Sequence, residues 1–123
     1  MAKTKILLIE DDKSLARLIK GAMDQTKFEI TVALEADEGI DKAMMEKPAI
    51  IILDVLLPAK SGFACLREIK SNSKIKKIPV IILSNLGQAE EIRKALELGA
   101  ADYIVKADFS IDEIIKKILK YLK

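Results

Sequence analysis

The chain has 123 residues, 50% hydrophobic and 33% charged, which suits one globular domain and excludes a disordered chain. Its 21 basic and 19 acidic residues leave a net charge of +2, too balanced overall to imply nucleic-acid binding. There is no His, so histidine acid–base catalysis and histidine-ligated zinc are excluded, and one cysteine, Cys65, cannot close an internal disulfide.

Ile6 to Ile9 is an aliphatic run that ends in Glu10-Asp11-Asp12. Leu15, Leu18, Ile19, Ala22 and Met23 then fall on one helical face, with Asp11 or Asp12 as its N-cap. Phe28 to Ala33 has the β-branched content of a strand. Ala36, Ile40, Ala43 and Met44 mark a second helix, which Pro48 ends. Ile50 to Leu53 ends in Asp54, and a turn with Pro58 and Gly62 leads into a helix through Phe63, Leu66 and Ile69. Cys65 sits on that helix and is expected as a small core residue. Residues 71–79 read as a polar loop. Val80 to Leu83 ends in Ser84, followed by the turn Asn85-Leu86-Gly87. Ile92, Ala95 and Leu96 mark the fourth helix, with Gly99 as its stop. Tyr103 to Val105 ends in Lys106, and Ser110 with Glu113 forms a capping-box pattern before the last helix.

This is a β-α unit repeated five times, which predicts an α/β fold with a parallel sheet covered by helices on both faces. Residues 1–123 are expected to form one domain, with no output domain after the last helix. The apolar run near the N-terminus is too short for a signal peptide, and none approaches the roughly 20 residues of a membrane span. A cytoplasmic location without membrane contact is therefore expected.

Ligands of open α/β sheets bind outside the carboxyl ends of the strands. Four runs end there in Glu10-Asp11-Asp12, Asp54, Ser84 and Lys106. Two carboxylates about 4 Å apart repel by roughly 4 kcal/mol at an effective dielectric near 20, so such a cluster calls for a cation. Carboxylates, carbonyls and water are the ligands of Mg²⁺. Asp54 follows the most apolar run and is the candidate nucleophile for a metal-assisted phosphoryl transfer. Ser84 and Lys106 are candidates to hold the phosphoryl oxygens.

The pieces Ile9-Glu10-Asp11-Asp12, Leu53-Asp54-Val55-Leu56-Leu57-Pro58 with Ser61-Gly62, Leu83-Ser84, and Gly99-Ala100-Ala101-Asp102-Tyr103-Ile104-Val105-Lys106 resemble the receiver domain of two-component response regulators, the chemotaxis-regulator type. The resemblance covers essentially the whole chain. It implies the flavodoxin-like strand order 2-1-3-4-5. It implies that Asp54 accepts a phosphoryl group from a sensor histidine kinase or phosphotransfer protein. Mg²⁺ would be held by Asp11, Asp12, Asp54 and the backbone carbonyl of Leu56. Ser84 would be the switch hydroxyl, Lys106 the phosphate-pairing lysine and Tyr103 the aromatic switch, with the surface of the fourth helix, fifth strand and fifth helix presented to a downstream effector protein. No direct nucleic-acid binding by this domain is implied. Family members that dimerise carry paired acids before the tyrosine; here Asp102 follows Ala101, with Arg93 and Lys117 as candidate partners, so a monomer or weak phosphorylation-dependent homodimer is expected. The family usually has proline after the lysine, where this chain has Ala107.

Other readings are a receiver-like scaffold that does not use phosphorylation and the receiver piece of a DNA-binding transcriptional regulator. A flavin binder would need a Ser/Thr-rich phosphate loop where Glu10-Asp11-Asp12 stands. An aspartate-nucleophile phosphohydrolase would carry its nucleophile after the first strand, not the third.

Overall fold

A computed structural model describes residues 2–122. The five apolar runs are the strands β1 (Thr4–Ile9), β2 (Phe28–Ala33), β3 (Ile50–Leu53), β4 (Val80–Ser84) and β5 (Asp102–Val105), all parallel, in the order β2-β1-β3-β4-β5. Between and after them run the helices α1 (Lys13–Ala22), α2 (Ala36–Glu46), α3 (Gly62–Ser71), α4 (Ala89–Glu97) and α5 (Ile111–Lys120). β3 is central and every residue in it is fully buried, because helices cover it above and below.

Alternation along the strands divides the core in two. Leu7, Ile9, Ile51, Leu53, Val80 and Ile82 face α2, α3 and α4, meeting Ala36, Ala43, Leu66, Ile69 and Ala95. Ile6, Leu8, Ile50, Ile52, Ile81 and Leu83 face α1 and α5, meeting Ala16, Ile19, Ile114, Ile115 and Ile118. Cys65 lies in the first layer, where burial pushes its thiol up to about 12, so it is protonated and unreactive at neutral pH.

The helix ends follow from local chemistry. Ser110 Oγ accepts the Glu113 N–H while Glu113 Oε1 accepts the Ser110 N–H, closing the predicted capping box. Gly99 stops the α4 segment at φ 108, a conformation that needs no Cβ. α2 ends one turn position before the expected terminator: Lys47 takes a left-handed conformation at φ 49, and its N–H bonds to the Ala43 carbonyl. β5 begins one residue earlier than its aromatic content suggests, at Asp102, so Lys106 falls just beyond the strand in a short 3₁₀ turn, Lys106–Asp108. No cis peptide occurs among the described residues, so the Lys106–Ala107 bond is trans.

Candidate functional site

Parallel pairing brings the ends of β1, β3, β4 and β5 to one rim. Leu53 is in register with Ile9 and Ile82, and Ser84 with Val105. Asp54 is therefore one residue past the central strand. It is only 5% exposed, its N–H bonds to the Ile9 carbonyl, and its Oδ1 accepts the Leu56 N–H at 3.1 Å. Lys106 reaches across and donates to Asp54 Oδ2 at 3.0 Å.

Glu10 is the residue whose importance the sequence did not single out. It is 1% exposed, and its Oε1 lies 2.8 Å from Lys106 Nζ. That contact is close but off the hydrogen-bonding direction, so Oε1 is a buried acceptor without a hydrogen bond. Its Oε2 accepts the Asp12 N–H at 3.1 Å. Burial pushes Glu10 up to about 7, against the pull of Lys106 and the Asp12 amide. Burial also works to lower the Lys106 pKa, but its ion pairs with Glu10 and Asp54 outweigh that and hold it above the ordinary lysine value.

Glu10, Asp11 and Asp54 each offer one carboxylate oxygen within 4.8 Å of the others. Asp12 stands outside this trio. Its Oδ1 accepts the N–H groups of Ser14 and Leu15, so it is the N-cap of α1. The offset has a simple origin. β1 ends at Ile9, and the chain turns into α1 at Lys13, so the last acid of the three meets the orphan amides of the helix.

The remaining expected residues lie beside this group. Ser84 is fully buried at the end of β4, and its Oγ accepts the Leu86 N–H at 3.3 Å. The Tyr103 hydroxyl donates to the Leu86 carbonyl, and the ring packs against the α2–α3–α4 core layer. Burial raises the Tyr103 pKa, so it is a protonated donor. The loop that follows Asp54 is tight: the Gly62 N–H bonds to the Val55 carbonyl at 2.8 Å, and Ala59 is left-handed at φ 65. Lys60 ties this loop to Asp37 of α2 and Glu68 of α3. Of the expected dimer residues, Arg93 pairs with Glu97 on α4, and Lys117 lies 4.9 Å over the Phe109 ring.

The site makes a pH prediction. Glu10 titrates near 7 when folded and near 4.5 when unfolded. Between those values the folded state holds the extra proton, so stability without added metal falls as pH rises from about 4.5 to about 7. Urea unfolding across that window checks it: Glu10→Gln removes this part of the slope, and an unchanged slope contradicts the assignment.

A doubly wound sheet with an acidic, lysine-bridged pocket at the carboxyl ends of its strands defines an α/β module with a candidate cation site. The response regulator receiver domain family matches residues 6–119, and the chain belongs to it. Response regulator ArlR of Staphylococcus saprophyticus is 32% identical over 98% of this chain and 53% of its own length. The transcriptional regulatory protein KdpE of Staphylococcus aureus is 34% identical over 94% of this chain and 48% of its own length. The chain thus spans about half the length of these relatives. Among solved structures, the phosphorylated cyanobacterial phytochrome response regulator RcpA superposes with a TM-score of 0.84 at 30% identity, covering 98% of this chain and 94% of that one. The BeF3-activated N-terminal receiver domain of Klebsiella pneumoniae RstA superposes with a TM-score of 0.87 at 26% identity, covering 98% and 99%. The protein is a receiver domain of the two-component response regulator type. No helix among the described residues is long and apolar enough to cross a membrane.

Proposed function

We propose that Asp54 is the phosphoacceptor of this receiver and that it takes its phosphoryl group from a histidine kinase or a phosphotransfer protein. The observation that carries the reading is the pairing of Asp54 Oδ2 with Lys106 Nζ at 3.0 Å inside a pocket of three carboxylates. An Asp54 oxygen attacks the donor phosphorus, the donor's bond to phosphorus breaks, and an aspartyl phosphate forms. Lys106 then pairs with a phosphoryl oxygen in place of the carboxylate oxygen it holds now. The Ser84 hydroxyl, one residue from Asn85 at the same rim, supplies a second donor, and Tyr103 responds through Leu86, to which both side chains are bonded. The α4–β5–α5 surface, on which Tyr103 sits, is the face offered to a downstream effector.

The donor set fits Mg²⁺: three carboxylates, one with a buried oxygen lacking a hydrogen bond, and no nitrogen or sulfur ligand. Asp11 and Asp54 would hold the ion, with the Leu56 carbonyl and with Glu10 as the third acid. The ion would neutralise the phosphoryl oxygens and orient them in line. Asp12, with one oxygen committed to the α1 cap, would contribute at most through its free Oδ2.

Labelling by a small acyl-phosphate donor across a Mg²⁺ titration, read by intact mass, distinguishes the acids. Asp11→Asn is expected to lose Mg²⁺-dependent labelling at least tenfold. Asp12→Asn, which keeps a capping side chain, is expected to label like the wild type. The reverse order would transfer the ligand role to Asp12. Cytoplasmic location, and action as a monomer or weak phosphorylation-dependent homodimer, complete the proposal.

A further inference from the structure

The near-zero net charge conceals a separation of charge along the strand axis. In a parallel α/β fold all strand starts and helix ends share one edge, opposite the site. On that edge Lys3 and Lys5 flank the start of β1, Lys47 precedes β3, and Lys74, Lys76 and Lys77 precede β4. These three strands are adjacent, about 4.8 Å apart, so the lysines form a band about 10 Å wide plus the loop before β4. All six are exposed, and none forms an ion pair among the described residues. Five acids share this end: Asp24 and Glu29 on the β2 side, where Glu29 is in register with Lys5, Glu46 directly before Lys47, and Glu97 and Asp102 toward β5. Glu46 is already bonded to Thr31.

The loop before β4 is held in place. Ile75 plugs it into the core at 1% exposure, Asn72 Oδ1 accepts the Lys74 N–H, and Lys70 Nζ donates to the carbonyls of Lys76 and Ile78 at 3.1 and 2.9 Å. Lys74, Lys76 and Lys77 are thus presented on an ordered backbone, which lowers the entropy lost on binding. The six like charges repel one another, and a polyanion relieves that repulsion.

We propose that this lysine edge binds the phosphate backbone of nucleic acid without reading sequence. Two features favour that partner. Lysines are point charges suited to phosphate contacts through counterion release. They follow a line of strand ends, which matches a linear polyanion better than a flat bilayer. The site is independent of the Asp54 chemistry.

The test is fluorescence anisotropy of the full chain with a labelled random-sequence DNA duplex between about 50 and 200 mM salt. With three to four phosphates neutralised, affinity is expected to fall about 40–150-fold over that range. The triple variant Lys74→Gln, Lys76→Gln, Lys77→Gln is expected to reduce the logarithmic salt slope by about 2–3 while melting like the wild type. Lack of duplex binding at the lowest salt, or an unchanged slope in the folded triple variant, overturns the proposal. Binding to phosphatidylserine vesicles without duplex binding overturns it in favour of a lipid surface.

Discussion

Lys106→Ala is expected to destabilise the metal-free protein by about 3–5 kcal/mol at neutral pH, the cost of removing one partner from a buried ion pair. Glu10 and Asp54 are 1% and 5% exposed, and Lys106 is the cation that contacts both, at 2.8 and 3.0 Å. Without it the two carboxylates face each other in a site that water reaches poorly. The loss should be smaller below about pH 7 than above it, because Glu10, which titrates near 7 even beside Lys106 and higher without it, then holds a proton. Adding Glu10→Gln to Lys106→Ala should recover much of the stability, and Mg²⁺ should recover part of it by binding the folded state alone. Urea unfolding at two pH values measures all of this. A loss below about 1 kcal/mol that does not vary with pH would mean that the three side chains act independently.

Gly62→Ala is expected to cost about 3 kcal/mol and to impair the site more than its stability loss alone explains. A Cβ at Gly62 would lie 2.1 Å from the Asp54 carbonyl oxygen and 2.6 Å from the Val55 Cα. Those atoms are backbone and cannot rotate away. Relief must come from moving α3 or the segment that bears Asp54. Two other glycines calibrate the effect. A Cβ at Gly39 would lie 2.4 to 3.2 Å from side-chain atoms of the buried Ile9, which are not backbone, so Gly39→Ala should cost less than Gly62→Ala. A Cβ at Gly21 meets nothing within 4 Å inside α1, so Gly21→Ala should stabilise by about 0.5–1 kcal/mol. Thermal melting of the three variants should rank them in that order, and a harmless Gly62→Ala would contradict the packing described for the Asp54 loop.

The strands were legible because burial on both faces leaves no room for polar residues, and Ile50 to Leu53 shows this most plainly. The helices were legible where capping chemistry is local, as at Ser110 and Glu113. The strand order was not readable from periodicity; it entered through the resemblance, and the parallel register bears it out. Within the acid triplet, spacing alone could not say which residue turns inward. The end of β1 at Ile9 sends Glu10 into the buried pocket, and the four orphan amides of α1 claim Asp12. An available clue was the Asp-x-Ser-Leu spacing from Asp12 to Leu15, which is that of an N-cap. The left-handed Lys47 and Ala59 had no sequence signal, because neither is Gly or Asn, the residues that usually mark that conformation. The lysine edge was hidden for another reason. Its members are scattered from residue 3 to residue 77, and only the parallel topology gathers them.

The most direct measurement is to map the labelled residue. Wild-type protein treated with a small acyl-phosphate donor and Mg²⁺ should carry one phosphoryl group, on the peptide containing Asp54, and Asp54→Asn should carry none. One phosphoryl group on Asp54→Asn, or a wild-type label on any other peptide, would contradict the account.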